Sequence, residues 1–312
     1  MATGNLTLIQ KADLAVADFA AGGLLQPAQA AEFIRLAIKA PVVISQAFVT
    51  PMTTPVERRD KMGFTGQVLQ PGSEATALGV AERSVPALGF VELTTRLYKA
   101  ETRMSDEVLE DQIERGAFKQ TIMEELSKAV ARDMERVALN GDTTSATPLL
   151  ATQDGWIRRA TANIFDAGGA TLSKVVLRDT LRALPDEYAE QAGLKYFTNR
   201  YAQIAYGDTL ADRATALGDA WLTQVGAADP AYSKIPVQRV ALFPNTLGGG
   251  GDQTVVLLTD PKNLALGIQR QIKIETWRDA PALSTSIIVS IRFALQVIEI
   301  NAMAKAINVR GR

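Results

Sequence analysis

The run from Ser105 to Asp142 constrains this chain most. Within it Met123, Leu126, Val130, Met134 and Val137 recur at the three- and four-residue steps that keep side chains on one helical face. Glu124, Glu125, Lys128, Arg132, Asp133, Glu135 and Arg136 fill the other faces. Asn140-Gly141 closes the pattern with residues that tolerate a left-handed C-cap. One helix of about ten turns is predicted, longer than most globular helices. Its charges exclude a membrane span, and its stripe is too short for a sustained coiled coil. A strut remains, which belongs to a protein whose work is to hold a shape.

Composition narrows the chemistry. The 312 residues have room for one large or two ordinary domains. An apolar content of 47% and a charged content of 21% are those of a soluble globular chain. The opening Met-Ala-Thr-Gly-Asn lacks the basic stretch and apolar core of a secretory signal, so folding in a cytoplasm is expected. Cysteine and histidine are both absent. That removes disulfides, thiolate chemistry, the commonest general base and the commonest transition-metal ligand. Lys+Arg 33 against Asp+Glu 34 leaves none of the basic excess that phosphate binding demands. Arg58-Arg59 and Arg158-Arg159 are isolated basic pairs.

The remaining pattern reads as alternating elements. Residues 8–40 carry two helical patterns, broken at Gly22-Gly23 and ended by Pro41, and 42–49 reads as extended. Met62, Phe64, Gly66 and Val68, and then Val91, Leu93, Thr95 and Leu97, alternate with polar partners as half-exposed strands do. Between these limbs lie about twenty residues, 69–88, with few apolar side chains; a loop that long inside a compact domain is usually functional. It is expected to project and to order against something else. Helices are predicted over 172–191, broken at Pro185, and over 210–225. Short strands are predicted at 195–197, 237–243 and 254–258, a long one at 289–297, and a last one at 304–309. The phase flip at Ile298-Glu299-Ile300 reads as a bulge. A mixed sheet flanked by helices follows, an α+β chain.

No pattern carries catalysis. The glycines at 248–251 lack the Lys-Ser/Thr and following helix of a phosphate loop, and read as a surface loop. No nucleophile elbow occurs. Glu124-Glu125, Asp106-Glu107 and Glu110-Asp111 are helix neighbours about 100° apart, so they read as solvated surface rather than acid/base pairs. Ser127-Lys128 diverges in the same way. Trp156, Trp221 and Trp277 are dispersed and read as core or interface anchors. Gly116, inside the long helical run, admits two readings: close packing against a neighbour, or a bend point.

The order of parts resembles the major capsid proteins of tailed phages with the Hong Kong 97-like fold. The resemblance rests on the arm, the long hairpin, the helix ending Leu139-Asn140-Gly141-Asp142-Thr143, the mixed middle, and the closing run from Ala304 to Val309; it is closest over 53–142 and 235–312. It implies an N-terminal arm at 1–51, an extended loop at 52–100, a peripheral domain with a spine helix at 101–149, an axial domain at 150–285, and closing peripheral strands at 286–312. The spine helix maps to 104–139. It further implies hexamers and pentamers of this chain tiling an icosahedral head around double-stranded DNA held without sequence-specific contacts. Portal, separate scaffolding and decoration proteins are the implied partners. No catalytic, cofactor-binding or metal-binding residues are expected. Some family members cross-link a loop lysine; with no lysine between Met62 and Tyr98, that chemistry is not expected here. Three alternatives stand beside the phage head: an encapsulin-like nanocompartment, a gene-transfer-agent capsid, and a histidine-free enzyme using Asp, Glu or Lys in a closed pocket.

Overall fold

A computed structural model describes residues 13–14, 41–63, 68–72, 77, 79, 83–111, 118–211, 230–247 and 251–311. In chain order the strands are β1 (Asp13–Leu14), β2 (Phe48–Pro51), β3 (Val56–Gly63), β4 (Ala87–Thr94), β5 (Arg96–Ser105), β6 (Ile164–Asp166), β7 (Lys195–Thr198), β8 (Ala231–Tyr232), β9 (Ile235–Arg239), β10 (Gln253–Thr259), β11 (Leu264–Asp279), β12 (Ser284–Val297) and β13 (Met303–Arg310). The helices are α1 (Asp106–Asp111), α2 (Phe118–Asn140), α3 (Trp156–Arg159), α4 (Lys174–Ala183), α5 (Asp186–Ala189) and α6 (Arg200–Ala211).

One five-stranded sheet runs β1-β5-β12-β11-β2, a six-stranded sheet runs β6-β13-β10-β7-β9-β8, and among the described residues β3 pairs only with β4. Strand β12 is the axis of the first sheet. It pairs antiparallel with β11 on one side and β5 on the other. Its side chains sort by the two-residue period. Ile291, Phe293, Leu295 and Val297 are buried in one cluster with Val137, Ala138 and Leu139 of α2, and Val130 and Met134 pack onto it. Tyr98 stacks on Phe293 with ring centroids 4.5 Å apart. Phe197, Val255 and Leu257 join the cluster from the six-stranded sheet, so it binds the two sheets together. The alternate residues of β10, Val256 and Leu258, enter a second cluster with Val176 and Leu177 of α4 and Tyr206 of α6. A strand covered on both faces needs an unbroken apolar run, and Val255-Val256-Leu257-Leu258 supplies it.

Several sequence expectations change here. Met104 and Ser105 are strand, so helix begins at Asp106. Residues 112–117, with Gly116, lie outside the described residues, as do the arm patterns of 8–40 apart from Asp13–Leu14. Those two residues form a parallel strand against Arg103 and Met104, because the edge of β5 offers open backbone groups. Residues 42–47 turn, with Gln46 N and Ala47 N donating to Val43 O, and only then does β2 begin. The hairpin limbs are 56–63 and 87–94, earlier than the alternation placed them. Period two continues through Thr95 although the chain there passes from one sheet to another. Helix 200–211 was not legible, since its buried residues are Ala202, Gln203, Tyr206 and Gly207 and make no apolar stripe. Most of the expected helix 210–225 lies outside the described residues.

Strand β11 was missed because bulges between Ile268 and Lys273 reset its phase. The flip at 298–300 is not a bulge: β12 ends at Val297, and a 3-10 turn, Ile300–Ala302, leads into the other sheet. There β13 lies between β10 and β6, while β11 lies beside β12, so the sheets do not divide at 285/286.

Gly141 also has a different cause from the one expected. It is absent from the positive-φ residues. A Cβ there would fall 2.3 Å from Gln153 O, and one on Gly155 would fall 2.8 Å from Gly141 N. The two glycines let the end of α2 touch the loop before α3 backbone to backbone, with Gly155 N donating to Gly141 O at 2.9 Å. Gly141→Ala is expected to cost on the order of 2 kcal/mol or more, since backbone cannot yield as a flexible side chain can. Thermal unfolding of the isolated subunit checks this.

Candidate assembly surfaces

The β3/β4 ribbon is buried at its root, tied to the body again through Lys61, and exposed on its other face. Leu93 is 1% exposed and packs with Met52, Ala265 and Ala294 on the face of the five-stranded sheet opposite α2. Gly267 makes the seat: a Cβ there would fall 2.4 Å from Met52 Sδ. Gln296 Nε2 donates to Glu92 O at 3.1 Å, and Thr95 N donates to Pro55 O at 2.9 Å. Outward from this root Met62, Leu88 and Phe90 are exposed, Met62 at 72% and Leu88 at 79%. Leu69 and Val85, beyond the paired limbs, are exposed at 83% and 81%. Single exposed apolar residues are ordinary, but a row of them on a ribbon with two open edges is an association surface.

The ribbon's cations are spent within the protomer. Arg58 pairs with Glu92 at 3.1 Å and lies 4.4 Å from the Phe90 ring centroid. Arg59 pairs with Glu57 at 3.2 Å. Lys61 reaches back to the body, donating to Glu299 Oε2 at 2.7 Å and to Ile298 O at 3.3 Å. Asn263 holds that receptor still, accepting from Glu299 N and donating to Glu299 O. The Lys61 bond holds the Glu299 carboxyl below its ordinary value of 4.5.

A second tether to the body lies at Val42. Glu135 was read as surface charge on the long helix, yet it is 4% exposed. Its Oε1 accepts from Val42 N and Val43 N, both at 2.7 Å. Gln46 Nε2 donates to Val42 O, and Lys195 Nζ donates to Gln46 Oε1 at 2.6 Å. The entry of the chain is thereby clamped to α2 and β7. An acid beside a helix stripe gives no sequence signal for such a clamp, because its partners are backbone amides 92 and 93 residues away.

The other candidate residues scatter into structural tasks. Trp156 is fully buried and its Nε1 donates to Gln296 O at 3.1 Å. Trp277 is 66% exposed, and Trp221 lies outside the described residues. Lys128 pairs with Glu125, Asp106 with Arg278, and Arg158 with Asp142 and Asp154. Arg159 Nη1 donates to Gln296 Oε1 at 2.8 Å. Of the glycine run only Gly251 is described, at φ +67°.

The geometry is thus one rooted ribbon with an open apolar face, and a segment clamped at 42–46, around two sheets. The chain is 32% identical over 311 residues, 98% of its length and 99% of the relative's, to a Bacillus subtilis (strain 168) protein described as the prophage capsid protein YqbE. The chain belongs to the family of phage major capsid proteins with the Hong Kong 97-like fold. It is a shell-forming structural protein of the virion. No protein-family model matches it. The fold is shared with the capsid of a native GTA particle, with TM-score 0.65, 17% identity, and coverage of 96% of this chain and 100% of that one. It is shared as well with the SrpI encapsulin of Synechococcus elongatus PCC 7942, with TM-score 0.64, 13% identity, and coverage of 95% and 97%.

Two outcomes follow from this geometry. Leu93→Ala should destabilise the subunit by about 2–4 kcal/mol, whereas Leu88→Ser and Phe90→Ser should leave its melting temperature unchanged and weaken association, as melting and light scattering of the same samples will report. The Lys61 tie should depend on pH: it is present above the ordinary Glu value of 4.5 and is lost as pH falls through the lowered native value of Glu299. Proteolysis of the ribbon should quicken on that descent in the native protein, and Glu299→Gln should be fast at every pH.

Proposed function

We propose that the ribbon lies across a neighbouring copy, and that the clamped arm does the same from the other side of the sheet. The carrying observation is the contrast between buried Leu93 and exposed Met62, Leu88 and Phe90 on one ribbon. Residues 52–100 act as the extended loop, 101–149 with α2 as the spine of the peripheral domain, and 150–285 as the bulk of the axial domain. Contacts of this kind are individually modest and large in sum, which allows curvature to be corrected while a shell grows. The shell assembles in a host cytoplasm around a separate scaffold, carries a portal, and encloses double-stranded DNA that its wall need not grip. A decoration protein can add to the outside. No side chain of the chain has a catalytic, cofactor-binding or metal-binding role.

A gene-transfer-agent capsid or an encapsulin-like compartment uses the same architecture. The prophage relative, matched over nearly the whole chain, favours the phage head. Electron microscopy of the purified protein should show shells or capsomers, and expression with its neighbouring genes should give particles holding DNA. Particles filled with a protein cargo would favour the compartment, and a permanent monomer would defeat both readings. Deleting 70–87 should leave a folded, soluble subunit that makes no shell.

A further inference from the structure

Two hollows beside the end of α2 meet at Ala241, which lines both. The larger is a cleft of about 990 Å³ lined by Arg136, Arg158, Arg159 and Lys305, together with Asp142 and Asp154. The smaller, of about 420 Å³, is lined by Arg200, Tyr201 and Arg239. Folding gathers these cations from α2, α3, α6, β9 and β13. The chain therefore has a basic tract without a basic block, and in the sequence only the pair Arg158-Arg159 shows.

Both carboxylates of the cleft are already engaged. Asp142 Oδ1 accepts from Thr144 N at 2.8 Å and from Thr144 Oγ1 at 2.6 Å, and its Oδ2 accepts from Arg158 at 3.0 Å. Asp154 Oδ1 accepts from Thr143 N at 2.9 Å and lies 3.3 Å from Arg158 Nε. Arg158 thus answers both acids. Arg159 and Lys305 donate to neutral oxygens, the main-chain carbonyls of Asp154 and Ile157 and the amide of Gln296. Burial disfavours the charge on each, and Arg158 adds to that at Lys305. Arg136, Arg200 and Arg239 are exposed and make no ion pair among the described residues. A helix C-terminus favours cations beside it, which accounts for Arg136. It does not account for Arg200 and Arg239 in the second hollow. In a chain whose net charge is −1, the tract carries a local positive surplus with no anion to meet it.

We propose that this tract is a binding site for a small polyphosphate anion, a di- or triphosphate group, with Arg159 and Lys305 at its floor and Arg136, Arg200 and Arg239 at its rim. The site stands apart from the shell reading and holds whether or not the chain assembles. Phosphate chemistry suits it for two reasons. Guanidinium forks match phosphate oxygens two at a time, and five of the six cations here are arginines. Two joined phosphates also bring roughly three charges into a small volume, where a carboxylate side chain brings one. The half-buried Arg159 and Lys305 lie within a cleft, which the phosphates on a convex duplex do not enter, so a free anion fits better than a nucleic acid. Inorganic pyrophosphate and a nucleoside triphosphate share the required group, and Tyr201 in the second hollow offers a ring to a base.

The test is calorimetric titration of the full chain with sodium pyrophosphate, and separately with ATP, at fixed ionic strength. Saturable binding of pyrophosphate is expected. Arg136→Gln with Arg239→Gln changes two exposed, unpaired positions; it should leave melting without ligand unchanged and weaken pyrophosphate binding by roughly tenfold or more. Arg200→Gln alone should give a smaller fall and serves if that pair does not fold. The control is Lys99→Gln with Arg270→Gln, which removes the same charge from exposed positions on the five-stranded sheet and should leave binding as it is. ATP binding tighter than pyrophosphate would name a nucleotide as the ligand, and equal affinities would name the phosphate group alone; both support the site. Absence of pyrophosphate binding to the wild-type chain would overturn the proposal, and so would an equal loss from the control pair, which would reduce the effect to overall charge. A short DNA duplex that binds and that pyrophosphate does not displace would overturn it too, by assigning the tract to nucleic acid.

Discussion

A two-stranded ribbon is marginal in water, and this protein builds one with neither edge paired to a third strand among the described residues. The ribbon persists because its root is part of the core. Met52 lies where a side chain at position 267 would stand, and Leu93 packs beside it. Leu93 is buried on the ribbon face turned to the body, while Leu88 and Phe90, on the opposite face by the two-residue alternation, are open to solvent. That two-sidedness is the physical origin of the proposed assembly behaviour: the root supplies direction, and the open apolar face supplies a reason to associate.

The two sheets divide the work. The six-stranded sheet is covered on both faces, with Val255 and Leu257 turned to one cluster and Val256 and Leu258 to the other. The five-stranded sheet has α2 on one face. Antiparallel strands commonly leave one sheet face to solvent, and β5, β12 and β11 do so here.

Legibility in the sequence followed periodicity. The stripe ending at Val137 and the alternation through Val289–Val297 placed α2 and β12, and Pro185 placed the break between α4 and α5. Failures came where tertiary contact replaced pattern. Bulges hid β11, a stripe of Ala, Gln, Tyr and Gly hid α6, and an unbroken two-residue period concealed the change of sheet at Thr95. Gly141 was recognised as a helix end for the wrong reason, since close backbone approach and a left-handed cap both call for glycine. Glu135 was invisible as a clamp because a buried carboxylate serving distant amides looks, in one dimension, like any other charge on a helix. The whole order of parts, more than any residue, carried the resemblance that the prophage relative then made firm.

The clamp at Glu135 and the root at Leu93 lie on opposite sides of the same sheet, joined by the short edge strand 48–51 that carries the chain from one side to the other. The chain is therefore threaded rather than laid: residues 42–47 hold to one side of the sheet and the ribbon's root to the other. Neighbours joined through both sides, as proposed, would interlace like warp and weft. Pressure from a tightly wound genome would then be borne as tension along continuous polypeptide passing through the wall, instead of as shear on seams at its surface.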